Sequence, residues 1–151
     1  MVKKLFVVFL IAILFCFTGC SNSSEVNENS NAFTDAVKAI TSDEITLNDL
    51  ATFEWDTMYN FTPFTPKERI EEVIGFSSNE IKQVFNEGHT QQIFVKDNEV
   101  VCSIWGYGSN LGYFISFRRY EGEYLAIKSD ELALFTVDNS GEELLLTYIN
   151  E

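Results

Sequence analysis

The hydrophobic pattern of this chain changes character several times, and each change predicts an element. Residues 5–17 form an uncharged apolar run, preceded by Lys3 and Lys4 and closed by Thr18, Gly19 and Cys20. The run is too short to cross a bilayer comfortably, which takes about 20 apolar residues. Residues 21–30 then carry a single apolar side chain, Val26, among Ser, Asn and Glu. So polar a segment buries too little surface to order itself and predicts a flexible tether. From there Phe33, Ala36, Val37 and Ile40 recur at i, i+3, i+4 and i+7, the stripe of an amphipathic helix that Ser30 or Asn31 can cap. Ile45 and Leu47 alternate in the segment that follows and predict a short strand.

Phe53, Trp55, Thr57, Tyr59 and Phe61 alternate with Glu54, Asp56, Met58 and Asn60, which predicts a strand with one aromatic face in need of cover. Thr65-Pro66-Lys67-Glu68 reads as a capping box with proline at the first helical position. Ile70, Val73 and Ile74 supply the buried stripe of that helix, and Gly75 its left-handed cap, with Phe76 placed to fold back onto Ile70. Ser77-Ser78-Asn79-Glu80 repeats the start signal, and Ile81, Val84 and Phe85 predict a second short helix before Gly88. Beyond Gly88 the period is two. Residues 92–96 and 99–105 flank Asp97-Asn98, a pair that tolerates positive φ and predicts a tight hairpin. Residues 106–110 read as a glycine-rich loop, and Leu111, Tyr113, Ile115 and Phe117 alternate after it. Further strands fall at residues 124–127, 132–137 and 144–149. Helices followed by consecutive strands favour an α+β fold, with short N-terminal helices packed on an antiparallel sheet of about five to six strands arranged as a meander.

The front of the chain carries a resemblance. Lys3 and Lys4 form a basic n-region, residues 5–17 match the length of a secretory h-region, and Phe17-Thr18-Gly19-Cys20 resembles the lipobox of bacterial lipoproteins, with Phe17 where that family usually has Leu. The resemblance implies that Cys20 receives a diacylglycerol thioether and that residues 1–19 are removed. Two acyl chains anchor stably where one holds marginally, since each buried methylene contributes about 0.8 kcal/mol. Residues 50–75, with Phe53-Glu54-Trp55-Asp56, Tyr59 and Pro63-Phe64-Thr65, are similar to a segment in small uncharacterised lipoproteins of Gram-positive bacteria; this implies no activity. The organisation expected is a signal peptide over 1–19, a lipidated cysteine and tether over 20–30, and a single domain over 31–151.

Composition narrows the classes of function. The 151 residues carry 10 basic and 23 acidic side chains, a net charge of −13 that approaches −15 once Lys3 and Lys4 are removed. Such a surface repels phosphate backbones, so nucleic acid is not an expected partner. It repels anionic headgroups as well, which leaves membrane attachment to the lipid on Cys20. Loss of Cys16 with the signal and use of Cys20 by lipid leave Cys102 unpaired, in an alternating segment that reads as core.

Candidate chemistry is sparse. His89 is the sole histidine, and no P-loop, dinucleotide fingerprint, nucleophile elbow or metal-ligand spacing is present, so no cofactor and no metal are expected. Residues 138–142 resemble half of a calcium loop and read as a plain turn. Glu54 and Asp56 share a strand face at about 7 Å, a spacing that glycosidase carboxylates also show. Trp105, Tyr107 and Tyr113, with Tyr120, bracket the glycine-rich loop and are the candidate binding residues. The expectation is a lipid-anchored envelope protein on the extracytoplasmic face of the cell membrane. It acts by binding, with an unidentified envelope protein as partner, rather than as an enzyme. A cell-wall-acting enzyme using Glu54, Asp56 or Cys102, and a carrier of a small ligand between helices and sheet, are the alternatives.

Overall fold

The computed structural model describes residues 23–117, 120 and 122–149. The expected signal peptide, Cys20 and the first residues of the expected tether lie outside them. The chain runs α1 (Ser23–Lys38), β1 (Glu44–Thr46), α2 (Leu47–Leu50), β2 (Thr57–Phe61), α3 (Lys67–Ile74), β3 (His89–Lys96), β4 (Glu99–Tyr107), α4 (Gly108–Leu111), β5 (Tyr113–Ser116), β6 (Tyr124–Lys128), β7 (Leu134–Asp138) and β8 (Leu144–Ile149). The fold is α+β, with the strands in two sheets rather than one. The first has the order β1-β7-β8-β5, the second β4-β3-β2-β6. The second is antiparallel throughout, whereas β5 and β8 pair in parallel, so the strands do not form a simple meander.

The second sheet is buried on both faces, and its register shows why. Met58 lies opposite Phe94 and Ile127, and Phe94 opposite Cys102. Residues directly opposite share a face, and this face packs against the first sheet, where Phe135, Leu146 and Ile115 complete the main core. Tyr59, Ile93, Phe61 and Tyr124 take the other face and form a second core with Ile70, Ile74 and Ile81, beneath α3 and the segment after it. The expected aromatic face of residues 53–61 is therefore divided. The strand begins only at Thr57, so Phe53 and Trp55 turn onto Phe94 in the main core, with ring centroids 5.3 and 5.5 Å from it. Phe61 meets Tyr124 on the opposite side at 5.5 Å.

Residues 23–30 are the first half of α1 and not a tether. Their composition is polar, but Val26 is 3% exposed and joins Phe33 and Val37 on one stripe. The polar groups have fixed uses as well. Asn29 Nδ2 donates to the Val101 carbonyl at 2.8 Å. The Ser30 hydroxyl accepts from the Ser103 N–H at 3.1 Å and shares its proton between the carbonyls of Ser103 and Val26. Helix α1 thus covers part of the exposed edge of β4 and satisfies groups that an edge strand would otherwise leave open.

Local signals fare unevenly elsewhere. The hairpin is as expected, Asp97 and Asn98 having φ of 50° and 62°. Helix α3 ends at Gly75 (φ 90°), whose N–H bonds the Glu71 carbonyl. No capping box starts it: Pro66 is the N-cap, and the Thr65 hydroxyl donates backward to the Thr62 carbonyl at 2.8 Å. The second helix after Ser78 does not form. Ile81 and Val84 are buried as expected, but from an irregular segment pinned by tertiary bonds, Phe64 N–H to the Val84 carbonyl and Ser103 Oγ to the Glu80 carbonyl. The glycine-rich loop contains the short helix α4.

Candidate functional site

Strands β3 and β4 begin and end together, with His89 opposite Tyr107 and Gln91 opposite Trp105. Alternation puts His89, Trp105 and Tyr107 on one face at the end of the sheet remote from the Asp97-Asn98 hairpin. The imidazole stands edge-on between two rings, 4.3 Å from the centroid of Trp105 and 4.5 Å from that of Tyr107. Trp105 is 49% exposed. Of the expected binding residues the structure joins these two around His89 and removes the third. Tyr113 is 1% exposed, and its hydroxyl lies 3.3 Å from Thr34 Oγ1. Burial pushes its phenol up to about 12, and the Thr34 contact only partly offsets this. It is a core residue and meets no external ligand.

Beside this cluster, the ends of β2, β3 and β5 leave a half-open recess of about 200 Å³, lined by Asn60, His89, Thr90, Ser116 and Tyr120 among aromatic side chains. Asn60 points into the protein from β2, 3% exposed, as does Gln92 from β3, 1% exposed. Gln92 Nε2 donates to Asn60 Oδ1 at 3.0 Å and also meets Thr90 Oγ1; Asn60 Nδ2 donates to the Tyr120 hydroxyl. Burial raises the Tyr120 phenol above its ordinary value, against the Asn60 bond. Gln92 Oε1 is buried and has no partner among the described residues. Periodicity placed Asn60 with Glu54, Asp56 and Met58 on the face opposite the aromatics, and this buried polar chain was missed. The signal available was Asn60 and Gln92 standing at inward positions of otherwise apolar strands.

The alternative catalytic residues are occupied otherwise. Glu54, with a side chain 85% exposed, is ion-paired to Lys96, whose hydrogen bond holds its carboxyl below the usual range. Asp56 accepts from the Asp97 N–H at 2.9 Å and so anchors the hairpin turn. Cys102 is fully buried, and burial pushes its thiol up to about 12, so that no thiolate forms near neutral pH. Asp138 Oδ1 accepts from the Ser140 N–H at 2.9 Å, an Asx turn that agrees with the plain turn expected over residues 138–142. Among the described residues no group of three or more His, Cys, Asp or Glu could hold a metal ion, and no helix is long and apolar enough to cross a membrane. No protein-family model, curated protein or solved structure matches the chain.

Proposed function

We propose that this chain is a lipid-anchored protein of the cell envelope, held on the extracytoplasmic face of the cell membrane by lipid on Cys20, and that its domain acts by binding a partner protein. Support for the anchor comes from Lys3 and Lys4, the apolar residues 5–17 and the Phe17-Thr18-Gly19-Cys20 motif. Support for binding comes above all from Trp105, half exposed at the part of β4 where the cover from α1 stops.

The edge of β4 explains why that position matters. Side chains of α1 meet the outward backbone groups of Val101 and Ser103. In an antiparallel strand the outward groups recur every second residue, so Trp105 and Tyr107 present the next ones. Among the described residues no side chain of α1 continues the series to Trp105, and the Tyr107 carbonyl opens helix α4. A partner strand laid there gains backbone pairing from the edge and contact area from the two aromatic rings.

The anchor would leave this end outward. Two residues separate Cys20 from Ser23, and a chain extends at most about 3.6 Å per residue. The start of α1 packs through Val26 beside Val100, at the hairpin end of β4. Tyr107 lies eight strand steps beyond Glu99, roughly 26 Å away.

A photoreactive amino acid at position 105, activated in intact cells, tests the reading. It predicts a discrete crosslinked species that the same group at Leu132, 80% exposed on another part of the surface, does not give. Identical adducts from both positions, or none from 105, would overturn it.

A further inference from the structure

We propose that the recess beside His89 is a binding site for a single neutral sugar ring. Its size sets the class first. Ligand sites for drug-sized molecules run from about 300 Å³ upward, and a cavity of about 150 Å³ holds one benzene ring. At about 200 Å³ the recess takes a six-membered ring with substituents.

Charge sets the class next. None of the described residues that line the recess is Asp, Glu, Lys or Arg. A buried ionised group without a counter-charge costs several kcal/mol, on the order given by desolvation, and the described lining favours a neutral ligand. The polar groups present are a carboxamide, three hydroxyls and an imidazole, on Asn60, Thr90, Ser116, Tyr120 and His89. Hydroxyl groups on a ligand suit this set, because each both donates and accepts. The Tyr120 oxygen accepts from Asn60, which leaves its own proton to donate. Turning the amides of Asn60 and Gln92 over together reverses the direction of this chain, and Tyr120 then offers a lone pair instead. A ligand hydroxyl satisfies either arrangement.

Shape completes the argument. Phe61, Phe114 and Phe117 wall the recess, and the C–H face of a pyranose ring packs on aromatic carbon while its rim meets the hydroxyls. Gln92 lies behind Asn60 and Thr90 and bonds both, so the floor is held by a side chain that the ligand need not touch. The site is separate from the edge of β4, and its failure would leave the partner-binding reading intact.

Titration of the isotope-labelled, lipidated full chain in micelles with N-acetylglucosamine, and separately with uracil, tests the assignment by amide chemical shifts. Saturable shifts confined to Asn60, Thr90, Ser116 and their neighbours are expected with the sugar and not with uracil. Tyr120→Phe removes one oxygen and weakens binding about tenfold, the effect of one hydrogen bond. Should that variant fail to fold, Ser116→Ala carries the same expectation. Shifts with uracil alone, sugar shifts that are dispersed or do not saturate, no shifts with either compound, or unchanged affinity in the folded variants would each overturn the proposal.

Discussion

Asn29 and Val101 are 72 residues apart in sequence, yet the carboxamide of one donates to the carbonyl of the other at 2.8 Å. That bond and the pair made by Ser30 join helix α1 to the edge of β4. The helix is consequently part of the domain, and only two residues separate the proposed lipid on Cys20 from Ser23.

Removing these bonds should loosen the helix. Ser30→Ala leaves the Ser103 N–H and carbonyl without their present partner, and the expected loss is about 1–2 kcal/mol of folding stability. Asn29→Ala, which breaks one bond at a partly buried site, should cost about 1 kcal/mol. Urea unfolding reads both, and faster hydrogen exchange at Ser103 should accompany the first. Midpoints equal to wild type would show that α1 is held by Val26, Phe33 and Val37 alone.

The buried acids give a pH dependence with a definite sign. Burial pushes Cys102 from 9.0 up to about 12 and Tyr113 from 10.0 up to about 12. Both groups are neutral when protonated, and the folded state holds the proton more tightly than the unfolded chain. Their contribution is fully present below pH 9 and is lost as pH rises from about 9 to 12. Unfolding free energy should fall across that window, and Cys102→Ala should flatten part of the fall. In native protein the thiol should resist alkylation at pH 8 and react once urea unfolds it. Rapid labelling of the native state would contradict its burial.

The hairpin provides a backbone test. Asn98 has φ of 62°, a conformation that costs a β-branched residue roughly 1–2 kcal/mol. Asn98→Val should lower stability by that amount, whereas Asn98→Gly should be close to neutral. Equal effects of the two substitutions would mean that the turn is not held in this form.

How much of this the sequence showed depends on the range of the interaction. Asp97-Asn98 and Gly75 act through their own backbone, so their turn and cap were legible from residue type. Polar residues 23–30 were misread because the partners of Asn29 and Ser30 lie on β4, far along the chain, and composition does not report such partners. The helix after Ser78 was expected from a local start signal that tertiary bonds to Phe64 and Ser103 override. Phe53 and Phe61 match a single period, but the strand starts between them, and a period carries no information about where pairing begins. The candidate site divides in the same way. Trp105, Tyr107 and Tyr120 were visible as aromatics around the glycine-rich loop, whereas Asn60 and Gln92 meet across strands and reach Tyr120 only in the folded chain.

Stability at the aromatic cluster should be separable from its use. Trp105 is half exposed, and Trp105→Ala should cost no more than about 1–2 kcal/mol while removing the main contact surface at the end of β4. Thermal unfolding and the crosslinking yield from a neighbouring photoreactive position measure the two effects. A large loss of stability with the crosslink retained would reverse the assignment.

The intact mass of the protein extracted from membranes of its own cells tests the anchor most directly. The account predicts a chain that begins at Cys20, 132 residues long, carrying the added mass of a diacylglycerol on its sulfur. A chain of 151 residues with an unmodified thiol at position 20 would contradict it.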